Sequence, residues 1–332
     1  MYKIFLFIMV LMIVMGAISC SSSPLLITSP VITEVDSLPR GRGGHAAAVL
    51  NGHVFVAGGT DWSADRSKKF WLDDSIVLIN GLWQPGPALP HPVAYSLFAY
   101  NETGVYLAGG TDGSVNLKTV YHLADHNSSW NTLKPLPMAL CSGCGALLNN
   151  KLYVTCGWTD QGSTNQMWAL DLNKADADWL PCQTLPGSKR AFPALVACGG
   201  YLYLFGGMSP DPNGSSLGVQ QDAYRYNPEK DLWTKLKDLP WPGYAWSGVS
   251  IDENHIMLTG KADGEVHKEI YLLNIRDMTT RQIGETIIQS TTAPLIKVKP
   301  NEYWFIAGEP DSKKNRTNRI TSIKLLAPTK EL

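Results

Sequence analysis

One acidic residue stands out among the positions that follow a recurring pair of residues ending in glycine. The residue directly after each pair is, in order, Thr60, Thr111, Trp158, Met208, Lys261 and Glu309. Glu309 is the one carboxylate in this series, and a carboxylate held against a ligand hydroxyl can act as a general base. Lys261 takes the same position one repeat earlier, which predicts a cation on the neighbouring repeat.

Basic residues follow a second recurring pair, leucine then proline. They are Arg40 and Arg42, His91, and Lys189 with Arg190. If both sets of loops share one face of the fold, that face is cationic around Glu309. An ordinary ion pair between Lys261 and Glu309 is the alternative interpretation of the acid and its neighbour.

The sequence carries none of the common catalytic or metal-binding motifs. It has no phosphate-binding loop, dinucleotide fingerprint, H-E-x-x-H segment or Ser/His/Asp order. Cys141 and Cys144 have a C-x2-C spacing, but no second pair accompanies them, so zinc is not expected. Most cysteines are interpreted as small buried side chains, and a disulfide is left open. We therefore expect no metal and no cofactor.

The repeat that positions these loops has a period of about 50 residues, the length of a kelch unit or four-stranded propeller blade. The pairs are Gly58-Gly59, Gly109-Gly110, Cys156-Gly157, Gly206-Gly207, Thr259-Gly260 and Ala307-Gly308. In the first repeat the four strands are predicted as His45–Leu50, Val54–Ala57, Ser75–Ile79 and Leu82–Gln84. Asn51-Gly52 is a strong hairpin-turn pair between the first two. The sequence thus predicts an all-β, six-bladed kelch-type β-propeller.

The last repeat lacks its fourth strand, and the N-terminal region supplies a candidate. Four repeats have a tryptophan seven residues before the proline, at Trp83, Trp130, Trp179 and Trp233. Val31–Pro39 has the same length, with Ile32 at the tryptophan position. We expect this N-terminal strand to complete blade six and close the ring, which also removes an exposed sheet edge. The tryptophans are expected to pack between blades.

Strand alternation predicts where the candidate residues meet. If the four strands of a blade run up and down in turn, the loop after the second strand and the loop after the fourth lie on one face. The residues after the glycine pairs and after the Leu-Pro pairs then surround one central mouth.

Composition and the N-terminus suggest an exported protein. Charged residues make up 17% of the chain and the net charge is −1, without a basic stripe, so nucleic acid is not an expected partner. Residues 1–19 are typical of a secretory leader. Cys20 follows it as in a bacterial lipoprotein, residues 20–30 form a tether, residues 31–326 the propeller and residues 327–332 a tail. We expect a periplasmic or outer-membrane-associated lipoprotein of a Gram-negative bacterium; the alternative is a soluble periplasmic protein with an unmodified Cys20.

Part of the chain resembles a known family. Gly308-Glu309, Asn315-Arg316-Thr317 and Ile320–Leu326 are similar to the segment that carries the catalytic glutamate of the N-acetylneuraminate epimerases, or sialic acid mutarotases. The blade around Leu202–Gly207 resembles the family's second blade, and the insertion Asp61–Asp74 matches one in its fifth. The chain is therefore similar to the cyclically permuted branch, in which the blade with the glutamate comes last.

The resemblance implies an isomerase that interconverts the α and β anomers of N-acetylneuraminate by acid/base-assisted ring opening. It implies Glu309 as the base, with Arg316 and Arg190 orienting the sugar acid. Arg42 is a weaker candidate for binding the substrate, and Lys261 is a further one that also lies close enough to tune Glu309. The partner is then a small sugar acid, and a membrane is contacted only through a lipid at Cys20. The alternative is a non-catalytic kelch propeller that binds glycans or an envelope protein. A copper oxidase of galactose oxidase type is excluded because its Tyr/His/Cys site cannot be assembled here.

Overall fold

The computed structural model describes residues 30–211, 213 and 215–326. The expected leader, Cys20 and the C-terminal tail lie outside these residues. No helix long and apolar enough to cross a membrane occurs in the part of the chain that is described.

Six four-stranded antiparallel sheets follow one another along the chain, as the repeat predicts. Blade one contains β2 (Ala46–Leu50), β3 (His53–Ala57), β6 (Ser75–Ile79) and β7 (Leu82–Pro85), and blade two contains β8 (Leu97–Asn101), β9 (Gly104–Ala108), β10 (Val120–Leu123) and β11 (Asn131–Leu133). Blade three contains β12 (Cys144–Leu148), β13 (Lys151–Thr159), β14 (Gly162–Asp171) and β15 (Leu180–Cys182), and blade four contains β16 (Ala194–Cys198), β17 (Tyr201–Phe205), β18 (Ala223–Asn227) and β19 (Leu232–Lys235). Blade five contains β20 (Ser247–Ser250), β21 (His255–Thr259), β22 (Glu269–Asn274) and β23 (Thr280–Glu285), and blade six contains β24 (Leu295–Lys299), β25 (Glu302–Gly308), β26 (Thr317–Lys324) and β1 (Val31–Val35).

The strands of blade one lie within a residue of their predicted bounds. The turn at Asn51-Gly52 has positive φ angles at both residues, 50° and 79°, as a two-residue hairpin turn of this kind requires. The predicted insertion after β3 is not a plain loop. It forms a small hairpin of β4 (Thr60–Trp62) and β5 (Lys69–Trp71), which pairs Thr60 with Trp71 and Trp62 with Lys69.

The N-terminal strand closes the ring, which confirms the prediction. β1 pairs antiparallel with β26, with Val31 opposite Lys324 and Val35 opposite Ile320. The first strand of each blade contacts the first strand of the next around the whole circle, including blade six against blade one. Closure by β1 gives blade six the same four strands as the others, so no blade is left incomplete.

The tryptophans join neighbouring blades, also as predicted. The indole N–H groups of Trp130, Trp179 and Trp233 each donate to a carbonyl of the preceding blade, at Pro87, Lys134 and Gln183, over 2.9–3.0 Å. Ile32 takes the same place in blade six, since a Cβ added to Gly284 of blade five would lie 2.4 Å from its Cδ1. Buried apolar area at this position thus holds neighbouring blades together, and a satisfied indole N–H adds to it at Trp130, Trp179 and Trp233.

Candidate active site

Glu309 lies at the mouth of the propeller, directly after β25. Its backbone makes an isolated bridge to Thr291, with both N–H···O contacts at 2.9 Å. This bridge joins the loop after β25 to the loop before β24, the two loop classes that strand alternation places on one face. The Glu309 side chain is 20% exposed, so it is sheltered yet reachable.

Three donors from different parts of the chain surround this carboxylate. The hydroxyls of Tyr95 and Thr292 donate to Oε1 at 2.7 and 3.0 Å, and Nη1 of Arg316 lies 3.3 Å from Oε2. Burial, reinforced by the charge of Glu309, raises the pKa of Tyr95 well above its usual range, so its hydroxyl stays protonated and donates. The carboxylate is therefore fixed in one orientation.

Arg316 is itself held in place, and its side chain is only 4% exposed. Nε and Nη2 donate to Oγ1 of Thr60 at 3.2 Å, and Nη1 donates to the carbonyl of Asn315 at 2.8 Å. A Cβ on Gly43 would lie 2.6 Å from Cγ of Glu309 and 2.7 Å from Nε of Arg316. The pair thus packs against a backbone that leaves no room for a side chain.

Tyr95 and Thr292 belong to an inner ring that the sequence reasoning missed. One residue per blade, just before the first strand, adopts a left-handed conformation with φ between 51° and 65°. The six are Gly44, Tyr95, Ser142, Phe192, Ala245 and Thr292. Backbone hydrogen bonds of 2.6–3.0 Å join five of the six neighbouring pairs, for example from the N–H of Tyr95 to the carbonyl of Gly44. Five of the six are not glycine, so backbone strain is present where the loops converge. These six residues recur with the same spacing of about 50 residues as the blades, and that spacing is the signal that could have found them. It is hard to see in the sequence because the six positions share no residue type.

This inner ring separates two cavities on the propeller axis. The larger, of about 560 Å³, is lined by all six ring residues and by the first strands of the blades, and Glu309 does not line it. The smaller, of about 450 Å³, opens at the mouth and is lined by Glu309 with the aromatic side chains of Tyr95, Phe192 and Tyr244. We take the smaller cavity as the candidate site because Glu309 lines it, together with Tyr95 and Thr292, two of the groups that donate to the carboxylate.

Two of the expected substrate-binding arginines lie elsewhere in the fold. Arg42 and Arg190 are 1% and 0% exposed. Arg42 donates to the carbonyl of Gly58 and to both oxygens of Asp74. Arg190 repeats this arrangement, with the carbonyl of Gly206 and both oxygens of Asp222. The expectation that they orient a substrate is therefore revised. Each guanidinium is buried and ties the loop before the first strand of its blade to the glycine pair and to the aspartate that precedes the third strand.

Lys261 is also placed differently from the expectation. Its ammonium group contacts Oδ2 of Asp263 at 2.8 Å rather than Glu309, and Asp263 contacts His267 as well. The expectation is a substrate-binding Lys261, with an ion pair to Glu309 as the alternative; in the structure its partner is instead Asp263, a carboxylate on the same blade. Of the predicted site residues, the structure brings together Glu309 and Arg316.

The cysteines follow the interpretation as small core side chains. All five that are described are free thiols, and four of them are buried. Burial raises the pKa of Cys144 well above its usual range and that of Cys156 to about 11, which makes these thiols unreactive. No cluster of His, Cys, Asp or Glu fit for a metal ion was found in the described residues.

Comparison with known proteins gives the same assignment at family level. A family described as N-acetylneuraminate epimerase matches residues 134–310, and the KLHDC2/KLHL20/DRC7 Kelch-repeats domain matches residues 28–207. The N-acetylneuraminate epimerase of Haemophilus influenzae (strain 86-028NP) is 28% identical over 189 residues, which are 56% of this chain and 48% of the relative. That of Salmonella arizonae is 29% identical over 143 residues, 42% of this chain and 36% of the relative. The chain thus matches about half the length, or less, of these relatives.

The fold and the site define a kelch-type β-propeller with a carboxylate at the mouth of its axis. Because the epimerase match covers more than half of the sequence, the chain belongs to the N-acetylneuraminate epimerase family. The matched range includes Glu309 and ends before Arg316.

Proposed function

We propose that this protein interconverts the α and β anomers of N-acetylneuraminate, with Glu309 as the general base. The observation that supports this most is the carboxylate of Glu309, fixed by Tyr95, Thr292 and Arg316 and facing the mouth cavity. Family membership supports the same class of reaction.

The proposed reaction needs only proton transfers. Glu309 takes the proton of the anomeric hydroxyl, the oxygen's electrons form a C=O bond, and the bond from the anomeric carbon to the ring oxygen breaks. The ring oxygen takes a proton from water. Rotation about the neighbouring C–C bond and the reverse steps close the ring on the other face of the carbonyl. Atoms and protons balance, and positioned proton transfer typically contributes about 10²–10⁴-fold.

Arg316 and Tyr95 are assigned positioning roles in this proposal. Arg316 has its donors engaged by Thr60, Asn315 and Glu309, so it holds the base rather than the sugar. Tyr95 donates to Oε1 and leaves Oε2, beside Arg316, as the oxygen that can take the proton. A base held in one geometry avoids the cost of ordering it during reaction.

The walls of the mouth cavity suit a sugar. A volume of about 450 Å³ lies in the range of small-molecule sites, and Phe192 and Tyr244 offer apolar faces beside polar groups. This observation also favours a second candidate, a propeller that binds a sialylated glycan at the same mouth without chemistry.

The two candidates are separated by adding the protein to freshly dissolved, anomerically pure N-acetylneuraminate and following both anomers by NMR. We expect equilibration faster than the spontaneous rate, in proportion to protein concentration. Binding of the sugar with an unchanged rate would favour the glycan-binding candidate. If the protein neither binds the sugar nor accelerates its equilibration, both candidates are overturned.

We further propose that the protein is exported and carries a lipid on Cys20. The support is the pattern of residues 1–20, an apolar run followed by small residues and cysteine. Metabolic labelling with a fatty acid in a Gram-negative host should mark the wild type and leave Cys20→Ala unlabelled. Label of equal strength on both proteins would contradict this proposal.

A further inference from the structure

The proposed substrate has a carboxylate on its anomeric carbon, and the residues expected to bind that charge are occupied. Arg42 and Arg190 are buried against Asp74 and Asp222, and Lys261 is paired with Asp263. Arg316 is committed to Glu309 and Thr60. The substrate's carboxylate therefore needs a partner other than these four side chains.

The hairpin β4–β5 begins and ends beside the site. Its first residue, Thr60, is the hydroxyl that accepts from Arg316, and its last, Trp71, packs edge-on against Tyr95 with ring centres 6.2 Å apart. Because side chains alternate between the two faces of a strand, Thr60, Trp62, Lys69 and Trp71 share the face toward the site. Asp61 and Phe70 lie on the other face, where Arg40 contacts both of them.

Two donors on the site face lack acceptors among the residues that the structure describes. The ammonium group of Lys69 has no carboxylate partner there, and lies over the rings of Trp71 and Tyr95 at 4.4 and 5.3 Å. That ammonium also lies 5.9 Å from the centre of the Trp62 ring. The indole N–H of Trp62 is buried and has no hydrogen-bond acceptor among the described residues. The faces of these rings attract the ammonium group, but they are not oxygen or nitrogen acceptors for its hydrogen bonds. An anion is the ligand that would satisfy both groups.

The position of Lys69 suits an anion attached to the reacting carbon. The Tyr95 side chain lies between Lys69 and Glu309. Its ring lies under the Lys69 ammonium, and its hydroxyl contacts the Glu309 carboxylate at 2.7 Å. Burial lowers the pKa of Lys69, Arg316 lowers it further and Glu309 opposes this, so all three charges act on one another. A carboxylate next to the anomeric hydroxyl would thus reach Lys69 while that hydroxyl faces Glu309.

We infer that Lys69, with Trp62 beside it, binds the carboxylate of the substrate and so determines specificity for sugar acids over neutral sugars. This inference rests on the proposed function. It makes the insertion in blade one a specificity element, and leaves Arg316 to hold the base.

The test uses ligands that cannot react, the methyl glycosides of N-acetylneuraminate in both anomeric forms, and their methyl esters, which lack the charge. We expect Lys69→Met to weaken binding of the better-bound acid glycoside about 10- to 100-fold, as loss of a hydrogen bond to a charged group does. Binding of the ester should be weak in the wild type and unchanged by Lys69→Met. Lys69→Arg should retain most of the affinity for the acid, which shows that charge and not packing is responsible.

Lys68→Met is the matched control, because Lys68 is exposed and lies over Phe70, away from the site face. It should bind the acid glycoside like the wild type. Equal binding by wild type and Lys69→Met would overturn the inference while leaving the proposed function intact. A loss in Lys314→Met instead, whose ammonium lies over the Trp62 ring at 4.5 Å, would also overturn it. If the wild type neither binds these ligands nor accelerates anomer exchange, the proposed function itself fails.

Discussion

The hydroxyl of Tyr95 in the second blade donates to Oε1 of Glu309 in the sixth, at 2.7 Å, across 214 residues of sequence. The contact exists because the ring closes: the loop before β8 and the loop after β25 meet only when blade six is completed and packed against blade one. Thr292 and Arg316, which belong to the same blade as Glu309, contact Oε1 and Oε2, and Thr60 of blade one in turn accepts from Arg316. The candidate base is therefore held by its own blade and, through Tyr95 and Thr60, by blades two and one.

Tyr95→Phe is expected to slow anomer exchange about 10- to 100-fold, since it removes a hydrogen bond to a charged carboxylate and keeps the ring. Single-turnover or steady-state NMR rates measure this, together with a melting curve to show that the fold persists. Tyr303→Phe is the matched control, because the Tyr303 hydroxyl is buried in blade six without a partner among the residues that the structure describes. That control should keep full activity and melt at the same or a higher temperature. Equal rates for Tyr95→Phe and wild type would show that Glu309 needs no donor from the second blade.

Arg190→Met is expected to lower the free energy of unfolding by about 3–5 kcal/mol, because it leaves the largely buried Asp222 without its cation. Chemical denaturation measures the loss. Arg319→Met breaks an ion pair with Glu34 whose two side chains are both 40% exposed, and should change the melting temperature little. A folded Arg190→Met protein with normal stability and a greatly raised KM would instead restore the original expectation that this arginine binds substrate.

His45 makes stability depend on pH in a definite direction. Burial lowers the pKa of this histidine to about 3, repulsion from Arg42 adds to the effect, and a backbone contact with Ile306 opposes it. Below about pH 6.5 the unfolded chain binds a proton at His45 and the folded chain does not. The contribution of His45 to the free energy of unfolding is therefore fully present above that pH. It falls by about 1.4 kcal/mol per pH unit as the pH is lowered from roughly 6 to 3.

His45→Asn should remove this contribution, so its stability should fall less steeply with acid than that of the wild type. Denaturation curves at several pH values between 7 and 4 compare the two slopes. Parallel slopes would mean that His45 titrates alike in the folded and unfolded chains.

The sequence predicted most of the architecture, because its signals are local and repeat. The glycine pairs, the Leu-Pro pairs and the tryptophans recur in each blade, so the six sheets, the closing strand and even the place of Ile32 could be inferred. Strand alternation also placed Glu309 at the mouth.

The environment of Glu309 could be predicted only in part. Tyr95 and Thr292 sit at a position where the six blades share a backbone conformation but no residue type, so composition gives no signal. Arg42, Arg190 and Lys261 were misjudged for a different reason: sequence shows that a cation lies near the mouth, but not that Asp74, Asp222 or Asp263 has already paired with it. The hairpin β4–β5 was visible as an insertion, and its alternating faces appear only once it is folded.

The most direct test of the account is the rate of N-acetylneuraminate anomer exchange with Glu309→Gln, which keeps the size of the side chain and removes its basicity. We predict an acceleration about 10²–10⁴-fold smaller than that of the wild type, with binding of the unreactive methyl glycoside retained. A Glu309→Gln protein that accelerates exchange as fast as the wild type would contradict the assignment of Glu309 as the base.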